Sequence, residues 1–243
     1  MATFNSGMSG DNTDLLANDK RLIVDIFHIP TKTSVQFKAF VTSYQDKFES
    51  EYNSEEVYGR MDPIQTFKGT KRKISLGWEV VSASLKEAEE NLARCTTLFS
   101  MLYPTYSETG SSVATTIAAG PIFRLKFANL IQDVSKGAGG AASAESNGLV
   151  GTISGFTYEP DFDSGFFDEG IGTLFPQTIK LSCDYTVNHT HGLGWSHGEK
   201  RTKNFPYNIN GETGTATGTS TGTTPSTGDT AETTAAGLEV TGT

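Results

Sequence analysis

The chain has 243 residues, enough for one sizeable domain, and its 19 basic against 28 acidic side chains leave a formal net charge of −9. That balance argues against a protein whose main task is to grip phosphate backbones by neutralising them. Its two cysteines, Cys95 and Cys183, fit neither a disulfide framework nor a repeated Cys-x-x-Cys metal site, so reduced, buried thiols are expected.

Residues 1–19 are polar and small and read as a flexible N-terminal arm. They hold no basic region followed by an apolar core, and no run in the chain approaches the ~18 apolar residues of a membrane helix. A cytosol, or a particle released from one, is the expected setting. The body is expected to span residues 20–207. Residues 208–243 form a Thr/Gly-rich extension whose stretch from Gly211 onward carries no aromatic and cannot bury enough apolar surface to offset its own ordering. That extension is expected to gain order only on a partner, as an added strand.

Within the body, strand signals come first. RLIVDIFHI (Arg21 to Ile29) and SVQFKAFVTSY (Ser34 to Tyr44) flank a short Pro-Thr-Lys-Thr turn and predict a hairpin. In the second segment Val35, Phe37, Ala39 and Val41 share one face and Gln36, Lys38 and Thr42 the other, with Phe40 out of phase. Next comes EEVYGRMDPI. Gly59 tolerates a positive φ, Pro63 fixes its own φ and pushes Asp62 toward extended geometry, and Arg60 and Asp62 bracket the turn, with Tyr58 leading into it. The basic run Lys68, Lys71, Arg72 and Lys73 then precedes the strand ISLGWEV. Four such charges suit a salt-bridging surface toward an acidic neighbouring subunit better than a nucleic-acid patch in an acidic protein.

One helix follows. Ser84 and Glu87 form a capping box, Leu85, Ala88, Leu92, Cys95, Phe99 and Leu102 recur at three- and four-residue steps, and Pro104 ends the pattern. IFRLKF sets Phe123, Leu125 and Phe127 against Arg124 and Lys126 in a further strand. GAGGAASAESNG (Gly137 to Gly148) lacks the Gly-Lys-Ser/Thr ending of a phosphate loop and the spaced glycines of a dinucleotide turn, and reads as a mobile connection. In YEPDFDSGFFDEG the acids Asp161, Asp163, Asp168 and Glu169 read from the residues as a solvated acidic turn; part of a calcium loop is present, without the closing bidentate Glu. TIKLSCDYTV (Thr178 to Val187) alternates Ile179, Leu181, Cys183, Tyr185 and Val187 with polar residues, the pattern of a strand with one wet face. The fold class expected from these elements is α+β, a mostly antiparallel β-sandwich or split barrel packed against one amphipathic helix.

VNHTHGLGWSH places His189, His191 and His197 close in sequence, so a mononuclear metal site is conceivable. No His-Glu-x-x-His helix, positioned carboxylate base or nucleophile elbow accompanies them, and packing or interface roles suit these imidazoles better. No cofactor and no catalytic residue are expected.

The succession VYGRMDPI, ISLGW, the helix ending in SMLYP, and GTISGFTYEPDFDSGFF, spanning about Leu22 to Val187, resembles baseplate and tail-tube junction proteins of long-tailed bacteriophages. The resemblance implies a tail-tube-type domain and a structural virion protein, assembled in the host cytoplasm. Its implied role is a hexameric ring at the baseplate–tube junction that templates the tube and lines the DNA channel, with Asp161, Asp163, Asp168 and Glu169 as the candidate channel or inter-ring loop. Implied partners are other copies of the chain, the tail tube, the baseplate hub and sheath proteins, with DNA only in passage and no membrane. The alternative is a metal- or carbohydrate-binding β-sandwich module that would use Trp78, Trp195 and the histidines.

Overall fold

A computed structural model of the chain describes residues 22–38, 40–108, 115–136 and 142–208. The predicted arm at 1–19, the extension from residue 209 and the start of the glycine-rich connection lie outside the described residues.

The first hairpin forms as its residues dictate, with β1 (Ile23–His28) paired antiparallel to β2 (Thr33–Lys38) and Val24 opposite Phe37. Two long strands follow, β3 (Phe40–Glu55) and β4 (Ile64–Val81), then helix α1 (Leu85–Met101). The hairpin β5 (Thr105–Glu108) and β6 (Thr115–Ala119) precedes β7 (Phe123–Phe127) and a 3-10 turn at Val134–Lys136. Helix α2 (Ala144–Asn147) is one turn long and leads into β8 (Leu149–Pro160). The hairpin β9 (Phe166–Gly170) and β10 (Thr173–Pro176) follows, then β11 (Thr178–Val187) and the two short strands β12 (Trp195–Ser196) and β13 (Glu199–Lys200).

Seven strands make one sheet in the order β2-β1-β7-β8-β11-β4-β3, and every neighbouring pair is antiparallel. The two edge strands, β2 and β3, are separated by a single residue in sequence, so the sheet curls and brings its two edges together at that link without pairing them. Curling explains how Phe37 of β2 comes within 6.1 Å of the Trp78 ring of β4, although four strands stand between them in the sheet. The architecture is therefore mostly antiparallel α+β, one curled, barrel-like sheet with helix α1 packed against it. It also explains Phe40: one strand was expected from Ser34 to Tyr44, but the chain changes partner between Lys38 and Phe40, and the alternation restarts there.

The core fills the inward face. Ile179, Leu181, Cys183, Tyr185 and Val187 of β11 are buried, as their alternation predicts, beside Ile74, Leu76, Trp78 and Val80 of β4 and Phe123 and Leu125 of β7. Tyr185 keeps its hydroxyl satisfied by donating to the carbonyls of Leu149 at 2.6 Å and Phe123 at 3.0 Å. A Cβ at Gly151 would collide with the Thr186 carbonyl and press on this ring at 2.8 Å, which is why β8 carries glycine at that point.

Helix α1 is capped as expected. Ser84 Oγ accepts from the Glu87 amide at 3.3 Å, and Glu87 Oε2 accepts from the Ala83 amide at 2.8 Å. Its phase differs from the expected stripe. Ala88, Asn91, Cys95, Leu98 and Met101 are buried, whereas Leu92, Phe99 and Leu102 are half-buried at the flank. The reason is Asn91, a polar residue at the centre of the contact face, whose amide donates to Ser82 Oγ at 3.0 Å. Phe99 still packs edge-on against Phe156 and Tyr158 of β8. The end of the predicted mobile connection is likewise ordered: α2 donates its Ala144 amide to the buried Asp25 carboxylate at 2.8 Å.

Candidate functional site

β4 pairs with β11 only from Arg72 to Val81, yet its pairing with β3 continues from Lys71 down to Ile64. The last eight residues of that ladder, with Glu49–Glu55 opposite, thus leave the barrel as a two-stranded arm about 25 Å long at ~3.3 Å per residue. The predicted turn is its tip. Gly59 takes φ +84° and the Arg60 amide donates to the Val57 carbonyl at 3.2 Å, while Tyr58 and Met61 are fully in solvent at 106% and 98% exposure. Asp62 and Pro63 are also exposed and lead into β4. Along one face Tyr52 and Phe67 meet edge to face at 5.5 Å, both more than half exposed. A single hairpin with so much uncovered aromatic surface has little to hold it in water by itself.

The basic run lies inside β4 rather than ahead of it, and the pleat divides it. Lys71 and Lys73 point outward and bind Glu51 at 2.6 Å and Glu49 at 2.9 Å on β3. Together with Lys47, Lys73 holds the Glu49 carboxyl down to about 2. The acidic partners of these lysines are therefore in the same chain, where a neighbouring subunit had been expected to supply them. Lys68 falls at a β-bulge, opposite no residue of β3. Arg72 is no part of a surface patch at all. At 1% exposure it continues the inward row of Ile74, Leu76, Trp78 and Val80.

Its burial is compensated in full view of the fold. Arg72 Nε donates to Asp46 Oδ1 at 3.0 Å and Nη2 to Oδ2 at 2.7 Å, and the guanidinium lies over the rings of Phe48 and Phe205 at 5.3 and 5.7 Å. Tyr207 donates its hydroxyl to the same carboxylate at 3.0 Å. This cluster is the base on which the arm stands. The sequence held one signal for it, the two-residue spacing of Arg72 from the inward side chains.

The acidic element sits at the other end of the barrel, where β11 begins. Asp161 and Asp163 form the turn after β8: Asp161 Oδ1 accepts from the Asp163 amide at 3.1 Å, and Oδ2 lies 3.3 Å from Lys180. Asp168 accepts from the Gly170 amide at 3.0 Å within β9. Glu169 shares a hydrogen bond with Glu89 of α1, and the close approach of the two carboxyls raises the Glu89 pKa. Four acids expected as one loop thus divide between a turn and a strand, beside the exposed side chains of Phe162, Ile171 and Leu174.

The histidines separate. His189 and His191 leave β11 with rings 6.4 Å apart, whereas His197 lies exposed in the β12–β13 turn with φ +49°. Among the described residues no group of three His, Cys, Asp or Glu side chains is placed to hold a metal ion. Trp78 is fully buried and Trp195 is 68% exposed beside Lys200, so the two tryptophans cannot share a contact surface. No helix among the described residues is long and apolar enough to cross a membrane. Compared with known proteins, the chain matches no protein-family model and no curated protein.

Proposed function

We propose that the protein is an architectural subunit that assembles with copies of itself into a ring at the junction of a phage baseplate and tail tube, where it templates the tube and lines the DNA channel. The observation that carries the assembly reading is the arm. Tyr52, Phe67, Tyr58 and Met61 form a projecting apolar surface that makes sense once a neighbouring subunit covers it. Among the described residues no strand pairs with the outer edges of β2 and β3, which offer backbone groups for the same purpose. The phage assignment itself rests on the order of sequence blocks from Leu22 to Val187.

Sedimentation and electron microscopy of the purified full chain test this, beside the variant Tyr58→Ser/Met61→Ser. The expected result is ring-shaped oligomers for the wild type and a shift to monomer for the variant at unchanged secondary structure. A wild-type chain that stays monomeric across micromolar concentrations, and neither joins nor seeds tubes when mixed with tail components, refutes the proposal.

A further inference from the structure

We propose that residues 202–208 are a strap, closed over the Arg72–Asp46 pair while His189 is neutral and released when His189 takes up a proton. The strap is fastened at its two ends. Thr202 Oγ1 donates to the Gly192 carbonyl at 3.1 Å, and Tyr207 donates its hydroxyl to Asp46 Oδ2 at 3.0 Å, with Asn204 donating to Asn208 at 3.2 Å between them. At its centre Phe205 is wedged among three groups, with ring centres 6.1 Å from Phe48 and 6.2 Å from His189 and with the Arg72 guanidinium 5.7 Å away. His189 is thus part of the surface on which the strap rests, and its Nε2 is buried with no hydrogen-bond partner.

Every charged group around His189 can be accounted for. Arg72 of β4 is the nearest fixed cation, and Asp46 of β3 is committed to it through a forked pair. Asp133, next to the 3-10 turn, has His191 Nδ1 at 3.3 Å from its Oδ1, so a charged His191 has a counter-ion in place. Arg201 packs along Gly192 and adds positive charge on the strap side, while Tyr44 and Tyr207 contribute neutral hydroxyls. Among the described residues, the two carboxylates near His189 are engaged elsewhere, Asp46 with Arg72 and Asp133 with His191, and act on His189 only from a distance. Burial first, then Arg72 and His191, outweigh the opposing pull of Asp133 and Asp46 and hold the His189 pKa below its ordinary value.

A base whose pKa is lower in the closed form is protonated more readily in the released form, so closure is fully supported above about pH 6.5 and weakens as the pH falls below it. One proton allows at most about a tenfold change in the released-to-closed ratio per pH unit. Release uncovers Phe48 and the Arg72–Asp46 pair at the base of the arm.

Hydrogen exchange of the full chain at pH 7.5 and 5.0, corrected for the intrinsic pH dependence of exchange, is the test. In the wild type, protection of residues 202–208 is expected to fall, by at most about thirtyfold for a single proton, while β11 keeps its protection. In His189→Gln, which cannot be charged, the strap is expected to hold at both pH values. Absence of the effect in the wild type, or the same pH dependence in both proteins, overturns the proposal. Should His189→Gln already be open at pH 7.5, wild-type NMR decides: the His189 ring titration and the loss of the Phe205 ring contacts must share one midpoint, and separate midpoints overturn it.

Discussion

Replacing Asp46 by Asn leaves a guanidinium of 1% exposure in the barrel wall without its counter-charge. Three short hydrogen bonds from Arg72 to the carboxylate, at 3.0, 3.1 and 2.7 Å, lose their ionic character, and Tyr207 loses a charged acceptor. Breaking a buried pair from one side costs about 3 to 5 kcal/mol, because the remaining ion stays desolvated and uncompensated. For a domain of this size that corresponds to a fall in Tm of roughly 6 to 20 °C. The double variant Asp46→Leu/Arg72→Met removes both charges and keeps the bulk, so it is expected to recover most of the loss. Urea and thermal denaturation of the three proteins followed by circular dichroism measure the comparison. A loss below about 1 kcal/mol in Asp46→Asn, or a double variant less stable than the single one, would show that water reaches the pair and that the base of the arm is not the buried cluster described here.

Two further outcomes follow from burial. Leu98→Ala is expected to cost about 2 to 5 kcal/mol, whereas Leu92→Ala, at the flank of α1, is expected to cost well under half as much; the reverse order in thermal melts would mean that the helix sits in the phase read from the sequence. Burial pushes the thiols of Cys95 and Cys183 up to about 12, so at pH 8 only about one in ten thousand is thiolate. A maleimide reagent is expected to leave the native protein unlabelled and to modify both cysteines in denaturant, and rapid labelling of the native form would contradict the core described for α1 and β11.

Strand β11 was legible because its inward positions are all apolar and its outward ones all polar, so period two appears without interruption. The capping box of α1 was legible because it depends on two residues three apart. What the sequence hid has a common cause, polar side chains performing inward roles. Asn91 at the middle of the helix contact moved the apparent stripe to Leu92 and Phe99. Arg72 read as surface because its neighbours are lysines, although its spacing from Ile74 puts it inside. The arm was hidden for the opposite reason. Glu49, Glu51, Lys71 and Lys73 satisfy one another across the strands, and such a polar ladder has no hydrophobic period to announce it. The turn residues Tyr58 to Pro63 were read correctly as a turn, but nothing local says how far from the barrel a turn will stand.

The position of β11 has a consequence for how the chain folds. Among the described residues it is the last long strand to be synthesised, and it lies between β8 and β4. Until Val187 has left the ribosome, the nascent chain can build the β3–β4 hairpin and the β2-β1-β7-β8 meander only as two separate pieces, each with an open flank and half of the future interior in water. Joining them is a non-local event, across about 100 residues between β4 and β11, and steps of that kind set slow folding rates. Any release of the polypeptide before that strand therefore yields two adhesive half-sheets rather than a shortened barrel, a hazard that co-translational chaperones would have to meet.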